Sequence, residues 1–284
     1  SPLLVFPCLV TLLNVASLAL VAGIIREQKI FTQKFAFQII LLYIAFGFFI
    51  LSPALYGQRE LLFIALVLPY LFASLSPSLI PNRSSLIIIV MAAIGFAIKP
   101  FFLLLWGMNE LHIAIEKRSI RSIFAWHNWI IGGAQLVYFA AIYFITPEYI
   151  NDIIPALQVT YFTFNSAWEA LLKPTAKIAG VALVAVWLAK IRGEYLRVTL
   201  RALTWLVACI GLILVQRKEW INHLYPMAFM SLLAISFALM YLVDEWKKLK
   251  LDIGHRKFIV LCIVVSLSAS SVYFSGVFTY NMFT

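Results

Sequence analysis

The sequence has little charge for its length. Only 12% of its 284 residues are Asp, Glu, Lys or Arg, whereas a soluble domain carries about 25% charged residues. Hydrophobic residues make up 63% of the chain, and the mean hydropathy is +0.97. This composition excludes an ordinary soluble domain and indicates an integral membrane protein.

The sequence also lacks the ten-residue alternation of polar and apolar residues that is typical of a membrane β-barrel. Its apolar runs instead approach the roughly 20 residues that a spanning helix needs. We therefore predict an all-α fold, a polytopic transmembrane helical bundle of about ten membrane segments that forms one domain over residues 1–284. The expected segments are 3–24, 35–55, 61–75, 85–115 (two short helices), 125–145, 175–190, 198–215, 224–243 and 257–278.

Cysteine is scarce, and the three that are present (Cys8, Cys209 and Cys262) have neither metal-ligand spacing nor a paired partner. We interpret them as small core residues. The sequence indicates no cofactor and leaves a divalent metal open. It begins SPLLVF without Met or a basic leader region, so we expect an amino-terminal part of the full protein to be missing, and a missing carboxy-terminal part is an alternative that stays open.

Lys99 and Pro100 lie in the middle of an apolar stretch. Proline removes a backbone donor and disfavours helix at the residue before it, so this stretch is expected to form two short helices that meet at a break. Broken backbone at membrane depth is tolerated only where it is enclosed by protein or faces a watery cavity. Lys99 is therefore a candidate binding residue, although a lysine that extends its side chain to the membrane surface is the alternative.

The net charge of +10 is interpreted as a topology signal rather than as a nucleic-acid patch. Sixteen of the 22 Lys and Arg residues fall on one side of the predicted membrane, which we assign to the cytoplasm. For the sides to alternate, the segment broken at Lys99 must enter and leave on that side. Four polar stretches then meet on the extracytoplasmic side: GQRE (57–60), the Lys99 break, TPEYINDIIP (146–155) and QRKEWINH (216–223).

Charged and aromatic residues on that side suggest a site for an anionic lipid head group, a phosphate or a pyrophosphate. Each also has a plainer explanation: a weak surface ion pair for Arg59 and Glu60, a carbonyl hydrogen bond for His223, and interfacial packing for Trp220, Trp168 and Tyr149. The remaining candidates are Lys99, Glu148, Asp152, Arg217, Lys218, Glu219 and Tyr225.

Several of these stretches resemble motifs of a family of bacterial polytopic membrane proteins related to the C-type (GT-C) glycosyltransferases, such as the aminoarabinose and protein O-mannosyl transferases. The family pattern is GQREHL, then LKPYFLL with a following Glu, then PEY, then QGKGWxYH. Here Gly57 to Glu60 match with Leu61 in place of His, and Lys99, Pro100 and Glu110 match. In the last motif Gln216, Lys218, Trp220 and His223 match, whereas Arg217 and Glu219 replace glycines and Asn222 replaces an aromatic residue.

The resemblance implies a membrane glycosyltransferase of the cell envelope. Such an enzyme takes a sugar from a polyprenyl phosphate or pyrophosphate donor and passes it to a lipid or glycan acceptor, in the bacterial inner (plasma) membrane with its site facing the periplasm or exterior. His223 would orient or protonate the leaving group, and Glu148 or Asp152 is a fallback base. The residues implied to bind substrate are Arg59, Glu60, Lys99, Arg217, Lys218 and Trp220.

In such enzymes the catalytic carboxylate lies in the first large outer loop, but the first outer connection here is only the YGQRE turn. The resemblance therefore implies a base in the missing amino-terminal part or on a partner chain. The expected partners are therefore the sugar donor, its lipid or glycan acceptor and membrane lipids, with a partner chain as an open alternative and no nucleic acid. Two other functions stay open: a transporter or flippase for a lipid-linked or anionic solute, and a non-catalytic subunit of a membrane complex.

Overall fold

A computed structural model of the protein describes residues 2–28, 34–51, 56–76, 83–163, 165–218 and 220–248. These residues are helical almost throughout and contain no strand, which confirms the predicted all-α class. The α-helices are α1 (Pro2–Glu27), α2 (Lys34–Phe49), α3 (Arg59–Ala73), α4 (Arg83–Ala97), α5 (Leu103–Glu116), α6 (Trp126–Ile145), α7 (Ile154–Thr163), α8 (Trp168–Ala189), α9 (Gly193–Gln216) and α10 (Ile221–Lys248).

Helices α3 and α10 form the centre of the bundle. Twelve of the 15 residues of α3 are buried, and 83% of the most apolar part of α10 is buried. The two helices contact each other, α3 also packs against α1 and α4, and α10 packs against α2, α8 and α9. Both helices are apolar on nearly every face because both are enclosed by other helices.

Helix α6 lies at the periphery, and only four of its 20 residues are buried. Its buried residues, His127, Asn128, Ile131 and Gln135, all lie in its first half. The second half exposes large apolar side chains such as Leu136 and Phe144, and a contiguous apolar surface of this kind is typical of a face that contacts lipid.

Within the described residues, five helices are long and apolar enough to cross a membrane: Val5–Glu27, Trp126–Ile145, Trp168–Trp187, Gly193–Gln216 and Ile221–Glu245. The protein is therefore a membrane protein by its fold as well as by its composition. Helices α2 to α5 have only 14 to 16 residues each, which is about 21 to 24 Å at 1.5 Å per residue. The predicted segment 257–278 lies outside the described residues.

The break at Lys99 has the predicted form. Helix α4 ends at Ala97, and Lys99 is extended, with φ −145° and ψ 133°, as expected for a residue that precedes proline. Pro100 then begins a 3₁₀ turn to Phe102, and α5 starts at Leu103.

Three predictions of local structure were wrong. TPEYINDIIP, one of the four polar stretches and interpreted as a long polar connection between two segments, is largely helical: Tyr149–Ile153 forms a π turn that leads into α7. Pro155 is tolerated because the first turn of a helix needs no internal N–H partner. Helix α10 begins earlier than expected, so Pro226 is its sixth residue instead of lying in its first turn. Cys209 is buried as predicted, but Cys8 is exposed, and Cys262 lies outside the described residues.

The two ends of the bundle are distinguished by contacts between helix termini. At one end, called here the Glu60 end, the first turn of α10 reaches the first turn of α3 through a 3.3 Å hydrogen bond from Asn222 Nδ2 to Glu60 Oε2. At the other, the Glu116 end, Arg201 near the start of α9 donates to the carbonyl of Ser74 after α3 (3.4 Å). These contacts fit the alternation predicted from the Lys and Arg count.

Candidate functional site

Three separate stretches of the sequence meet at the Glu60 carboxylate. Glu60 is the second residue of α3 and is only 1% exposed. Lys99 Nζ, 8% exposed, forms an ion pair with Glu60 Oε1. Asn222 donates to Oε2, and His223 Nδ1 lies 3.9 Å from Oε1. The GQRE motif, the Lys99 break and part of QRKEWINH are therefore brought together as predicted.

The Lys99-Glu60 pair balances two charges in a poorly solvated place. Both side chains are almost fully buried, so neither charge is well solvated without the other. The carboxylate also lies near the amino terminus of α3, where the helix dipole favours a negative charge. The pair joins the break to the central helix α3.

A cavity of about 820 Å³ opens beside this pair. One wall is the exposed second half of α6, another is formed by the π turn and α7, and the polar lining comes from Arg59, Lys99, Gln158 and Gln216. Arg59 is exposed and forms no ion pair with any described residue. The cavity thus combines aromatic and aliphatic walls with one cation, Arg59, whose charge no described carboxylate balances. Its aromatic lining comprises Phe101, Tyr138, Phe139, Tyr143, Phe144 and Tyr149.

The other predicted site residues lie elsewhere. Glu148 and Asp152 are exposed near Tyr149 but do not line the cavity. Lys218 is fully buried, its Nζ donates to Asn165 Oδ1 (3.3 Å), and it lies 5.8 Å from the ring centre of the exposed Trp220.

Arg217 and Lys218 form a second cluster of predicted site residues, separate from the pair of Glu60 and Lys99. The guanidinium of Arg217 lies 4.6 Å from the centre of the Trp168 ring, a distance typical of a cation-π contact. Its carbonyl accepts a hydrogen bond from the backbone N–H of Ser166 (3.0 Å). Arg217 and Lys218 therefore connect the α9–α10 link to the segment before α8. Glu219 lies outside the described residues, and of the described residues of QRKEWINH only Gln216 lines the cavity.

A buried polar network surrounds Glu110 in α5, and the sequence did not predict it. The carboxylate of Glu110 accepts hydrogen bonds from the hydroxyl of Tyr70, from Asn109 Nδ2 (3.0 Å) and from Asn128 Nδ2 (2.6 Å), and His127 Nε2 lies 3.5 Å away. Asn109 and Glu110 are adjacent in a helix that is otherwise largely apolar, and this pair was the available signal.

Trp106 and Trp205 extend this network. Trp106 Nε1 donates to Asn128 Oδ1 (2.9 Å), and Trp205 Nε1 donates to Asn109 Oδ1 (2.8 Å). The side-chain amides of Asn109 and Asn128 therefore each form hydrogen bonds through the oxygen as well as the nitrogen. The network ties α5 to α3, α6 and α9 and holds one carboxylate among neutral donors.

Two turns at the Glu60 end use left-handed backbone. Gly57 has φ +90°, which glycine adopts without steric cost. Arg217 has φ +50° at the carboxy-terminal cap of α9, at the position where the resembling family has glycine. A side chain at such a position costs about 1–2 kcal/mol.

We expect Arg217→Gly to be more stable than Arg217→Ala by about 1 kcal/mol. Both variants lose the contact with Trp168, so their difference reports the left-handed backbone alone. Thermal unfolding in detergent measures it. The same comparison at Lys190, which has φ +48° at the cap of α8, should give a difference of the same sign. Equal stabilities at both positions would contradict the assignment of strain.

No metal site is evident in the described parts of the chain, where no group of three or more His, Cys, Asp and Glu side chains is placed to hold an ion. No protein-family model, curated protein or solved structure matches this chain.

Proposed function

We propose that this protein is an integral-membrane glycosyltransferase of the bacterial inner membrane that uses a polyprenyl-phosphate-linked or polyprenyl-pyrophosphate-linked sugar donor on the extracytoplasmic side. The observation that supports this proposal most directly is the cavity beside Arg59. It offers an apolar wall for a lipid chain and one unbalanced cation for a phosphate. A polyprenyl phosphate combines a long apolar chain with an anionic phosphate and so fits both parts of this cavity.

In this proposal the isoprenoid part of the donor lies against the aromatic side chains of α6. Its phosphate binds to Arg59, whose planar guanidinium donates two parallel hydrogen bonds to a phosphate. The acceptor oxygen forms a bond to the sugar while the bond between the sugar and the phosphate oxygen breaks. The electron pair of that bond stays on the phosphate, so negative charge grows there in the transition state. A fixed cation at this point stabilises that charge.

The acceptor hydroxyl needs a base. Glu148 and Asp152 lie in the same turn as Tyr149, which lines the cavity, and they are the candidates within this chain. Glu60 is a poor candidate because its charge is engaged by Lys99 and it is almost fully buried. A base from a partner chain is the other route to the same chemistry.

Replacing Arg59 with Gln is expected to reduce sugar transfer by a factor of about ten or more, which corresponds to the loss of one charge-assisted hydrogen bond. Arg59→Lys should retain part of the activity. The measurement is transfer from a radiolabelled polyprenyl-phosphate sugar in proteoliposomes. Lys173→Gln is the matched control, since Lys173 is an exposed cation in the first half of α8. Equal transfer by the Gln variant and the wild-type protein would refute the role of Arg59.

The second candidate function is a transporter or flippase for the same kind of lipid. One observation favours it: no carboxylate of the described residues lines the cavity. Movement of a fluorescent polyprenyl phosphate across a proteoliposome membrane, without chemical change, would support this candidate. Release of the sugar from the donor would support the transferase.

A further inference from the structure

We propose that the Glu116 end of the bundle carries a second binding site, for the phosphate of an anionic lipid. The site lies between the last turn of α5 and the first turns of α9. It is separate from the Arg59 cavity, because the two sites lie at opposite ends of the bundle. The inference therefore does not depend on whether the protein transfers a sugar.

The residues between α5 and α9 at this end carry an excess of positive charge. The buried Arg201 pairs through Nη2 with Glu116 Oε2, and Arg197 Nε lies 3.7 Å from Glu116 Oε1. One carboxylate thus serves two guanidinium groups, which leaves one positive charge unbalanced. Unbalanced charge at a membrane boundary is costly, and an anion would balance it.

Among the described residues, Glu116 is the carboxylate that pairs with Arg197. Glu194, in the first turn of α9, is exposed and forms no ion pair with a described residue. His112 Nδ1 is 2.6 Å from Thr204 Oγ1 and can add only positive charge. Lys117 and Arg118, which follow α5, are exposed cations. On α5, α9 and the turn after α5, these cations together with Arg197 and Arg201 outnumber Glu116 and Glu194.

The surface beside Arg197 is concave. A cavity of about 430 Å³ lies against Arg197, with Glu116 and His112 also in its lining. Its other walls are the partly or fully exposed apolar side chains of Ile115, Leu196 and Leu200. Arg197 is about half buried, so its guanidinium is accessible from this cavity. A cation beside exposed apolar side chains at the end of a helical bundle suits a phosphate that is attached to an acyl lipid.

The backbone at the start of α9 also favours an anion. Gly193 lines the cavity, and the side chain of Arg192, the residue at the cap position, forms no capping hydrogen bond. The first N–H groups of a helix have no partner within the helix and attract anions. The first turn of α9 and the Arg197 guanidinium therefore meet at one cavity.

The test is binding to the purified full chain in detergent, followed by thermal unfolding and native mass spectrometry. The probes are phosphatidylglycerol, phosphatidylcholine with the same acyl chains, and inorganic phosphate. We expect phosphatidylglycerol to raise the unfolding temperature and to stay bound more than phosphatidylcholine does. In Arg197→Gln its affinity should fall about tenfold.

Two variants control for indirect effects. Arg121→Gln removes an exposed cation from the turn that follows α5, which does not line the cavity, and it should leave binding of phosphatidylglycerol unchanged. Arg197→Lys keeps the charge and should keep part of the affinity, which shows that the fold is intact. Equal binding of the two lipids, or equal loss in Arg121→Gln and Arg197→Gln, would overturn the proposal. Stabilisation by inorganic phosphate alone, lost in Arg197→Gln, would support a phosphate site but overturn the lipid as its source.

Discussion

Replacing Lys99 with Met lowers the free energy of unfolding by about 3–5 kcal/mol, because it leaves the buried Glu60 carboxylate without its cation. Thermal unfolding in detergent should show this as a fall of about 10 °C in the unfolding temperature. The loss is larger than expected for an exposed lysine, whose ion pairs contribute about 0–1 kcal/mol.

The double variant Glu60→Leu, Lys99→Met should recover most of this stability, since two well-packed apolar side chains are often as stable as a buried ion pair. Lys173→Met is the control, because Lys173 forms an exposed ion pair with Glu169 and its loss should be nearly neutral. A double variant as unstable as Lys99→Met alone would show that packing around Lys99, and not charge balance, determines the effect.

Replacing Glu110 with Leu should destabilise the protein by about 3 kcal/mol or more. The change leaves the Tyr70 hydroxyl and the amides of Asn109 and Asn128 without their acceptor, and each unpaired buried donor costs about 1–3 kcal/mol. Thermal unfolding in detergent again measures the effect, and the rate of amide hydrogen exchange in α5 and α6 should rise with it.

Glu110→Gln is the informative partner of this variant. It keeps the shape and one acceptor oxygen, so it should retain more than half of the stability that Glu110→Leu loses. Glu169→Leu, at an exposed position, should have little effect. If Glu110→Leu proves as stable as the wild-type protein, the network does not hold α5, α6 and α3 together.

The sequence was sufficient for the features that depend on local chemistry. Low charge and long apolar runs predicted helices, and Pro100 predicted the break, because proline acts on its own backbone and on the residue before it. The helical form of TPEYINDIIP was missed. Its polar residues indicated a connection between two segments, whereas the prolines at 147 and 155 are each compatible with the start of a new helical turn.

The site was only partly predictable for a different reason. Lys99, Glu60 and His223 were expected on one side of the membrane, and the structure brings them together. Arg217 and Lys218 were expected beside them, but the left-handed backbone at Arg217 reverses the chain after α9 and places both side chains near Trp168 and Asn165. The direction of a side chain after such a reversal depends on one backbone angle, which composition and spacing do not report.

Helix α6 is held only along its first half. Asn128 bonds to Glu110, and Gln135 Nε2 donates to the carbonyl of Ala93 in α4 (2.9 Å), whereas the residues after Gln135 are exposed or partly exposed. In the described part of the chain, the α6 wall of the Arg59 cavity therefore makes its polar contacts with other helices before residue 136. The opposite wall is tied directly to α3 by the pair of Glu60 and Lys99. The lipid-facing half of α6 thus depends on the surrounding bilayer for its packing, whereas the Lys99 break depends on one buried carboxylate.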